Sequence, residues 1–424
     1  MRAGPAKVLI ITYYWPPSGG AGVQRWLKFT KYLPSSGWLP VILTVRPEDA
    51  VYPFRDNSLF GEIPLEVEVY RTKAINYFSL YNKDQSKIPH AGFASDTGKG
   101  IKNSLGRVIR GNLFIPDPRR GWNKYAFRKA CELIRTEKIK HVITTSPPHS
   151  TQLIGLKLKK KFPGIKWIAD LRDPWTEIFY YDMFYPTPIA RLIDKYYEKS
   201  VLKKADLVTT VGYTLARQFE AIGDEIEGKI KVIHNGYDDS DFQNITPSIP
   251  ERFTISFIGT VSYAYPFDGF INAVKSLLSQ DLDLVIRFIG TISEARQQVL
   301  VTALGSEHLE FIPSVDHQTA IEQMVSSSLL LLVLAQHRDN RSFLSGKLFE
   351  YIASGRPVLC LGPVDGDAAK LLENHNFGKC YDYFDATGIE SFILTHIRNP
   401  LPNRTVPPIE FTRRHLAEQV VKLL

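Results

Sequence analysis

The chain is poor in cysteine: Cys131, Cys360 and Cys380 are the only three among 424 residues. An odd number without the paired spacing of a metal site excludes a disulfide-built scaffold and a cysteine zinc site. The apolar runs around Cys131 and Cys360 read as places for buried free thiols in a reducing compartment. Long hydrophobic runs are also missing. The longest, Leu329 to Ala335, is far short of a membrane-spanning helix and fits a buried strand. The first strand-like run, Val8 to Ile11, comes too early to leave room for a secretory signal. A cytoplasmic globular protein is expected. Its 44% hydrophobic and 23% charged residues suit a folded chain, and its length suits two domains with separate cores.

A dinucleotide fingerprint is a further absence. The strand Lys7 to Thr12 leads into a turn ending Gly19-Gly20-Ala21-Gly22 and then a helical pattern from Val23 to Tyr32, the opening unit of a doubly wound sheet. Arg25 stands where the third glycine of Gly-x-Gly-x-x-Gly belongs, and the next strand, Leu39 to Val45, ends in Arg46 instead of an acidic residue for a ribose. A nicotinamide enzyme is therefore not expected, although a loop of small residues lets backbone approach a ligand closely.

Strand and helix patterns alternate from there. Strands are expected near Val67–Tyr70, Val142–Thr145, Lys166–Leu171, Leu207–Val211 and Lys231–Ile233. Helices are expected over 123–137, from Thr151, over 188–204 and over 213–222. Between Ile75 and Gly121 the period is lost, and the residues read as a long irregular insertion. From Ile75 to Ala130 there are eleven Lys and Arg against three Asp, an excess equal to the net charge of +8 carried by the whole chain. Aromatic residues are interleaved with these cations. No nucleic-acid module accompanies them, so nucleic acid is not an expected partner; a basic aromatic patch suits peripheral docking on anionic phospholipid or on a lipid-diphosphate acceptor. A solvated loop with spare charge is the plainer alternative.

After His234-Asn235-Gly236-Tyr237-Asp238 a linker, 237–252, precedes a second alternation beginning at Phe253. Gly259-Thr260 follows its first strand. Asp281-Leu282-Asp283 lies at a helix–strand junction and reads as a surface turn, not a metal site. The richest stretch is Ser345-Gly346-Lys347-Leu348-Phe349-Glu350-Tyr351-Ile352-Ala353-Ser354-Gly355-Arg356-Pro357-Val358. Ser345 is a good N-cap, Gly355 a good C-terminal stop, and Lys347 and Glu350 share one face of the helix between them. A cation and an acceptor beside the positive end of a helix suit a ligand with phosphates at one end and hydroxyls at the other; an ordinary surface ion pair would look the same locally.

The 347–358 stretch resembles the Lys-Leu-Phe-Glu-Tyr-x-Ala-x-Gly-x-Pro-Val signature of retaining glycosyltransferases of the GT-B fold, the large family that includes bacterial capsule and lipopolysaccharide sugar transferases. Pro16-Pro17-Ser18-Gly19-Gly20-Ala21-Gly22 is similar to the family's opening glycine loop. Pro148-His149 is similar to its Pro-His, Asp170-Leu171-Arg172-Asp173-Pro174-Trp175 to its Asp-x-Arg-Asp-Pro-Trp, and Asn235-Gly236-Tyr237-Asp238 to its interdomain turn.

The resemblance implies an α/β GT-B protein with two Rossmann-like parallel-sheet domains facing a cleft: an acceptor-side domain over 1–236 containing the 75–121 insertion, a nucleotide-sugar domain over 253–400, and a C-terminal helix over 409–424 that crosses back onto the first domain. It implies that Glu350 holds the nucleotide ribose, Lys347 lies by the diphosphate, and His149 approaches the donor sugar. Gly20 and Gly22, Gly259 and Thr260, and Ser345 and Gly346 would line the donor. Asp170, Arg172 and Asp173 would line the acceptor side.

Two departures stand out. Ser342 occupies the position of a family Glu that bonds the donor hexose, and Val261 to Asp268 lacks the family's cations, leaving Arg338, Arg341 and Lys347 to hold phosphate. The implied activity is metal-independent, retaining transfer of a sugar from a nucleotide diphosphate-sugar co-substrate to a glycan or lipid-linked acceptor, without a further cofactor, in the cytoplasm or on the inner face of its membrane. A nucleotide-sugar epimerase or hydrolase and a non-catalytic nucleotide-sugar-binding subunit are the alternatives.

Overall fold

The structure is a computed structural model that describes residues 5–80, 101–243, 245, 248, 250–337, 339–399 and 405–424. It divides into two compact units, Met1–His234 with Arg414–Leu424, and Asn235–Arg413. The 237–252 linker expected from the sequence thus falls within the second unit.

In unit 1 the strands are β1 (Ala6–Ile11), β2 (Trp38–Val45), β3 (Glu68–Thr72), β4 (His141–Ser146), β5 (Lys166–Leu171), β6 (Leu207–Thr210) and β7 (Ile230–Val232). They form one parallel sheet in the order β3-β2-β1-β4-β5-β6-β7. The helices are α1 (Ala21–Tyr32), α2 (Ile101–Leu113), α3 (Asn123–Thr136), α4 (Gln152–Lys161), α5 (Pro188–Lys204) and α6 (Tyr213–Glu220). Near-continuous Val, Ile and Leu in β1, β2 and β4 are what a sheet covered on both faces requires. Val8 to Ile11, Val41 to Leu43, and Val142 and Ile143 are all buried.

Unit 2 contains β8 (Phe253–Ile258), α7 (Asp268–Leu278), β9 (Leu284–Ile289), α8 (Glu294–Leu304), β10 (Leu309–Ile312), α9 (His317–Val325), β11 (Leu329–Val333), α10 (Gly346–Ser354), β12 (Val358–Leu361), α11 (Asp367–Asn374), β13 (Gly378–Tyr381) and α12 (Ala386–Arg398). Its parallel sheet runs β10-β9-β8-β11-β12-β13. The last helix, α13 (Arg413–Leu423), sends Leu416, Ala417 and Val420 into the core of unit 1.

The reading of 75–121 as wholly irregular is corrected by α2. Gly106 and Gly111 depress its intrinsic helicity, and packing supplies what propensity withholds. A side chain at Gly111 would meet the main chain of Phe184, and Asn112 Nδ2 donates to the Tyr185 carbonyl at 3.0 Å. Within the expected basic patch, residues 81–100 lie outside the described residues. Asp283 is an ion-pair partner of Arg252 at 2.6 Å, in keeping with a surface turn.

Candidate functional site

Each sheet reverses its winding direction once, between β1 and β4 in unit 1 and between β8 and β11 in unit 2. Open parallel sheets bind ligands beyond the carboxyl ends of the strands at such reversals. Most of the residues singled out from the sequence lie in the segments leaving these four strands.

In unit 2, β11 leads through 334–345 into α10. The Ser345 hydroxyl accepts from the Lys347 amide at 3.3 Å, and Gly355 ends the helix with φ near 71°. Tyr351 ties the helix to β8 by accepting from the Ile258 amide at 3.0 Å. That contact brings the first turn of α10 over the end of β8. The Lys347 ammonium lies 5.4 Å from the centre of the Phe257 ring and against Gly259. A Cβ at Gly259 would collide with that ammonium, and its φ of 126° also disfavours a side chain there.

Although Lys347 keeps some exposed area, its ammonium is enclosed. Burial pulls its pKa down to about 8, and the charge of Glu350 offsets this only in part. No ion pair to Lys347 is present among the described residues. A cation desolvated this far without a bonded carboxylate is a functional-site signature, because it remains available to an anion.

The remaining unit 2 candidates fall into different settings. Thr260 and Arg341 are exposed, while Gly346 and Glu350 are partly exposed. Arg341 pairs with Asp339 at 3.2 Å and Asp365 at 3.7 Å, and its carbonyl accepts from the Asp367 amide at the start of α11. Ser342 is buried beside it. Arg338 lies outside the described residues.

In unit 1 the loop after β1 opens α1 at Gly20, which is exposed, has φ near 83° and supplies no side-chain cap. Arg172, just after β5, clamps this turn. Its Nε donates to the Ser146 carbonyl at 2.9 Å and its Nη2 to the Gly22 carbonyl at 3.1 Å. Arg172 therefore fixes the small-residue loop to the end of β4.

His149, one turn beyond β4, stacks on Trp175 with ring centroids 4.9 Å apart and planes 14° from parallel. Burial drives its pKa down to about 4, despite a slight opposing influence from Asp117 and the Pro174 carbonyl, so the ring is neutral at pH 7. Neither ring nitrogen makes a hydrogen bond of good geometry among the described residues. Asp173 is partly exposed, and its carboxyl is raised by burial.

Asp170 behaves differently, and its expected acceptor-side role is corrected. It is fully buried. One carboxylate oxygen accepts from Arg25 Nη2 at 3.1 Å and Thr209 at 2.8 Å; the other accepts from Trp26 Nε1 at 2.8 Å and Thr145 at 2.7 Å. Burial alone would raise its pKa, but Arg25, Arg172 and these hydrogen bonds hold it below the usual carboxylate value. With its lone pairs committed, Asp170 joins α1, β4 and β6 beneath the site.

Sequence reasoning missed several neighbours. Asp117 accepts from the Ser150 amide and hydroxyl at 2.8 and 2.9 Å, fixing the turn that carries His149. Arg119 lies over the Tyr13, Tyr14 and Phe78 rings at 5.2–5.8 Å. Asp194 and Glu198 of α5 hold the 173–181 segment, the first through Trp175 at 2.7 Å and Tyr181 at 3.0 Å, the second through the Thr176 hydroxyl at 2.6 Å. Asp117-Pro118 was a visible helix-start signal. The α5 carboxylates could have been noticed as the two acids one turn apart on an otherwise basic helix. Among the described residues no group of three or more His, Cys, Asp and Glu side chains is placed to share a metal ion.

Comparison with known proteins agrees with this geometry. The architecture is the GT-B fold, two Rossmann-like units each built on a parallel sheet. Residues 88–241 match the Glycosyltransferase Family 4 model, about a third of the chain. The chain is similar to a sucrose-phosphate synthase from Thermosynechococcus elongatus (14% identity, TM-score 0.61, covering 99% of this chain and 98% of that one). It is similar to a glycosyltransferase from Rickettsia africae (14%, 0.58, 99% and 98%) and to HepE of Anabaena in complex with UDP (15%, 0.54, 98% and 94%). No curated protein matches the chain in sequence.

Proposed function

We propose that the protein is a retaining, metal-independent glycosyltransferase that moves a hexose-type sugar from a nucleotide diphosphate donor to a hydroxyl of a polysaccharide or lipid-linked glycan, in capsule or lipopolysaccharide-type assembly at the cytoplasmic face of a membrane. The observation that carries this reading is Lys347, an enclosed and unpaired ammonium in the first turn of α10, with Glu350 one turn further on. The match of residues 88–241 to Glycosyltransferase Family 4 supports it, and so does the likeness to a UDP-bound neighbour.

In this reaction the bond between the anomeric carbon and the diphosphate breaks early, so negative charge grows on the phosphate oxygens. Lys347 and the first-turn amides of α10 are set to meet that charge without rearrangement, and preorganised positive groups of this kind give the largest single contribution to many reaction rates. Glu350 would accept from the ribose hydroxyls. His149, neutral and stacked on Trp175, would lie beside the donor sugar. The main chain at Gly20 and Gly22 and at Gly259 and Thr260 would lie close to the ligand. Asp173 is the carboxylate available on the acceptor side, while Arg172 acts by fixing the glycine loop. No covalent nucleophile is required; front-face attack by the acceptor hydroxyl, which would pass its proton to an oxygen of the departing diphosphate as the new C1–O bond forms and the old one breaks, would retain configuration.

The test is turnover of UDP- and GDP-sugars with and without a glycan acceptor, in the wild type and in Lys347→Ala. Acceptor-dependent release of nucleotide diphosphate that falls by about 10²–10³ in the variant is expected. Consumption of donor without acceptor would favour an epimerase or hydrolase. Nucleotide binding with no turnover would favour a non-catalytic subunit.

A further inference from the structure

α5 carries an exposed apolar stripe that nothing in the preceding site uses. Ile189, Leu192, Ile193 and Tyr196 follow one another at helical spacings of three, one and three, and the first, second and fourth are 72%, 71% and 67% exposed. Its other face is committed to the protein, with Ala190, Asp194, Glu198, Val201 and Leu202 all buried. A helix ordinarily turns its aliphatic stripe inward; α5 buries Val201 and Leu202 near its end, but over its first half it turns Asp194 inward and Ile189, Leu192 and Ile193 out. Beside it, α2 exposes Leu105, Val108 and Leu113. The helices are joined where α2 ends and α5 begins, since Asn112 Oδ1 accepts from the Thr187 amide at 2.7 Å while its Nδ2 holds Tyr185.

Charge indicates what would cover this surface. α2 has no acidic residue, and the only two acids of α5 are the buried pair. The cations remain outside. Arg191 and Lys195 pair with Asp182 and Glu177, exposed carboxylates of the neighbouring segment, whereas Arg107, Lys199 and Lys204 have no ion pair among the described residues. Aliphatic side chains rimmed by Lys and Arg, with an exposed Tyr among them and no exposed acid on either helix, match the interface of an anionic bilayer: aliphatics enter the acyl boundary while cations meet lipid phosphates.

We propose that α5, together with α2, forms a monotopic docking surface for anionic phospholipid. This centres the membrane contact on Ile189–Tyr196, and among the described residues of the expected 75–130 segment α2 is the part that joins it. The proposal rests on the surface of unit 1 and does not depend on sugar transfer. α5 also links the surface to the site, because its inward acids hold Trp175 and Thr176.

The test is co-sedimentation of the full chain with vesicles of phosphatidylcholine alone and of phosphatidylcholine mixed with phosphatidylglycerol. Binding to the mixed vesicles, weakened by salt and at least tenfold stronger than to phosphatidylcholine, is expected. The double variant Leu192→Ser, Ile193→Ser should lose at least tenfold of it, and Lys199→Glu should lose part, both with unchanged thermal unfolding. Equal partitioning of wild type and double variant would overturn the proposal. So would lipid-independent dimerisation in analytical ultracentrifugation that the double variant abolishes, which would make the stripe a contact between copies. UDP binding followed in the same variants reads the donor site separately, so failure of one reading leaves the other standing.

Discussion

Asp170 in unit 1 and Lys347 in unit 2 are both enclosed charges near the point where the sheet reverses, and the two are handled in opposite ways. Asp170 is fully buried and receives four hydrogen bonds, one from an arginine. Lys347 is enclosed against Phe257 and Gly259 with no ion pair among the described residues. The protein stabilises the ionised form of the first and destabilises that of the second. A buried charge whose bonds are all met internally is framework; one left unmet is held ready for a ligand.

The largest expected consequence is in unit 1. Asp170→Ala would remove the carboxylate that faces the buried Arg25 guanidinium and the acceptor of Trp26, Thr145 and Thr209, and stability should fall by about 3–5 kcal/mol. Urea unfolding measures this, and a loss under about 1 kcal/mol would mean that Asp170 is not framework. The converse substitution, Lys347→Met, should leave the midpoint unchanged or slightly raised while abolishing UDP-dependent stabilisation.

The pH dependence sharpens the contrast. A lysine pKa of about 8 in the folded protein, below its usual 10.5, means that the unfolded chain binds more protons between those values. Stability should therefore rise with pH across that window, and Lys347→Met should remove the rise. Affinity for UDP should fall over the same range as the ammonium is lost. For Asp170 the sign is opposite: its contribution is present above the ordinary carboxylate pKa and disappears as pH drops through the lower folded value.

Gly259→Ala is the next step down. The added methyl would displace the Lys347 ammonium and strain a backbone at φ 126°, costing about 1–3 kcal/mol of stability and weakening UDP binding about tenfold. Unchanged affinity would show that the ammonium position is not what the ligand reads. Glu198→Gln should act through pH. Burial raises this carboxyl to about 7, so its contribution to stability is present below about 4.5 and is lost as pH rises toward 7. The slopes of the two stability profiles should differ between about pH 4.5 and 7, and the offset gained there should persist at higher pH. The smallest effect on stability belongs to Arg341→Ala, whose ion pairs are solvent-exposed and screened. A large fall in turnover with that stability unchanged would assign Arg341 to the phosphates.

Much of this was legible in the sequence because it is local. The Ser345 cap, the Gly355 stop and the i,i+3 spacing of Lys347 and Glu350 fix α10 within a dozen residues, and the aliphatic runs of β1, β2 and β11 announce themselves. What was hidden depends on partners far along the chain. Nothing in Asp170-Leu171-Arg172-Asp173 distinguishes the framework acid from its neighbours until Arg25 and Trp26 are folded against it, 145 and 144 positions away. α2 was obscured by its two glycines, and its geometry depends on Phe184 and Tyr185. The sequence places His149 beyond the end of β4 but gives no sign that Trp175, 26 positions on, stacks on its ring.

The central claim, that Lys347 and Glu350 form a nucleotide diphosphate site, is tested most directly by thermal unfolding with UDP, GDP and their sugars, on the wild type, Lys347→Met and Glu350→Ala. A base-selective rise in midpoint that both substitutions remove is the expected result, since a ligand bound only to the folded state raises its stability. No rise at saturating nucleotide, or a rise that survives both substitutions, would contradict it.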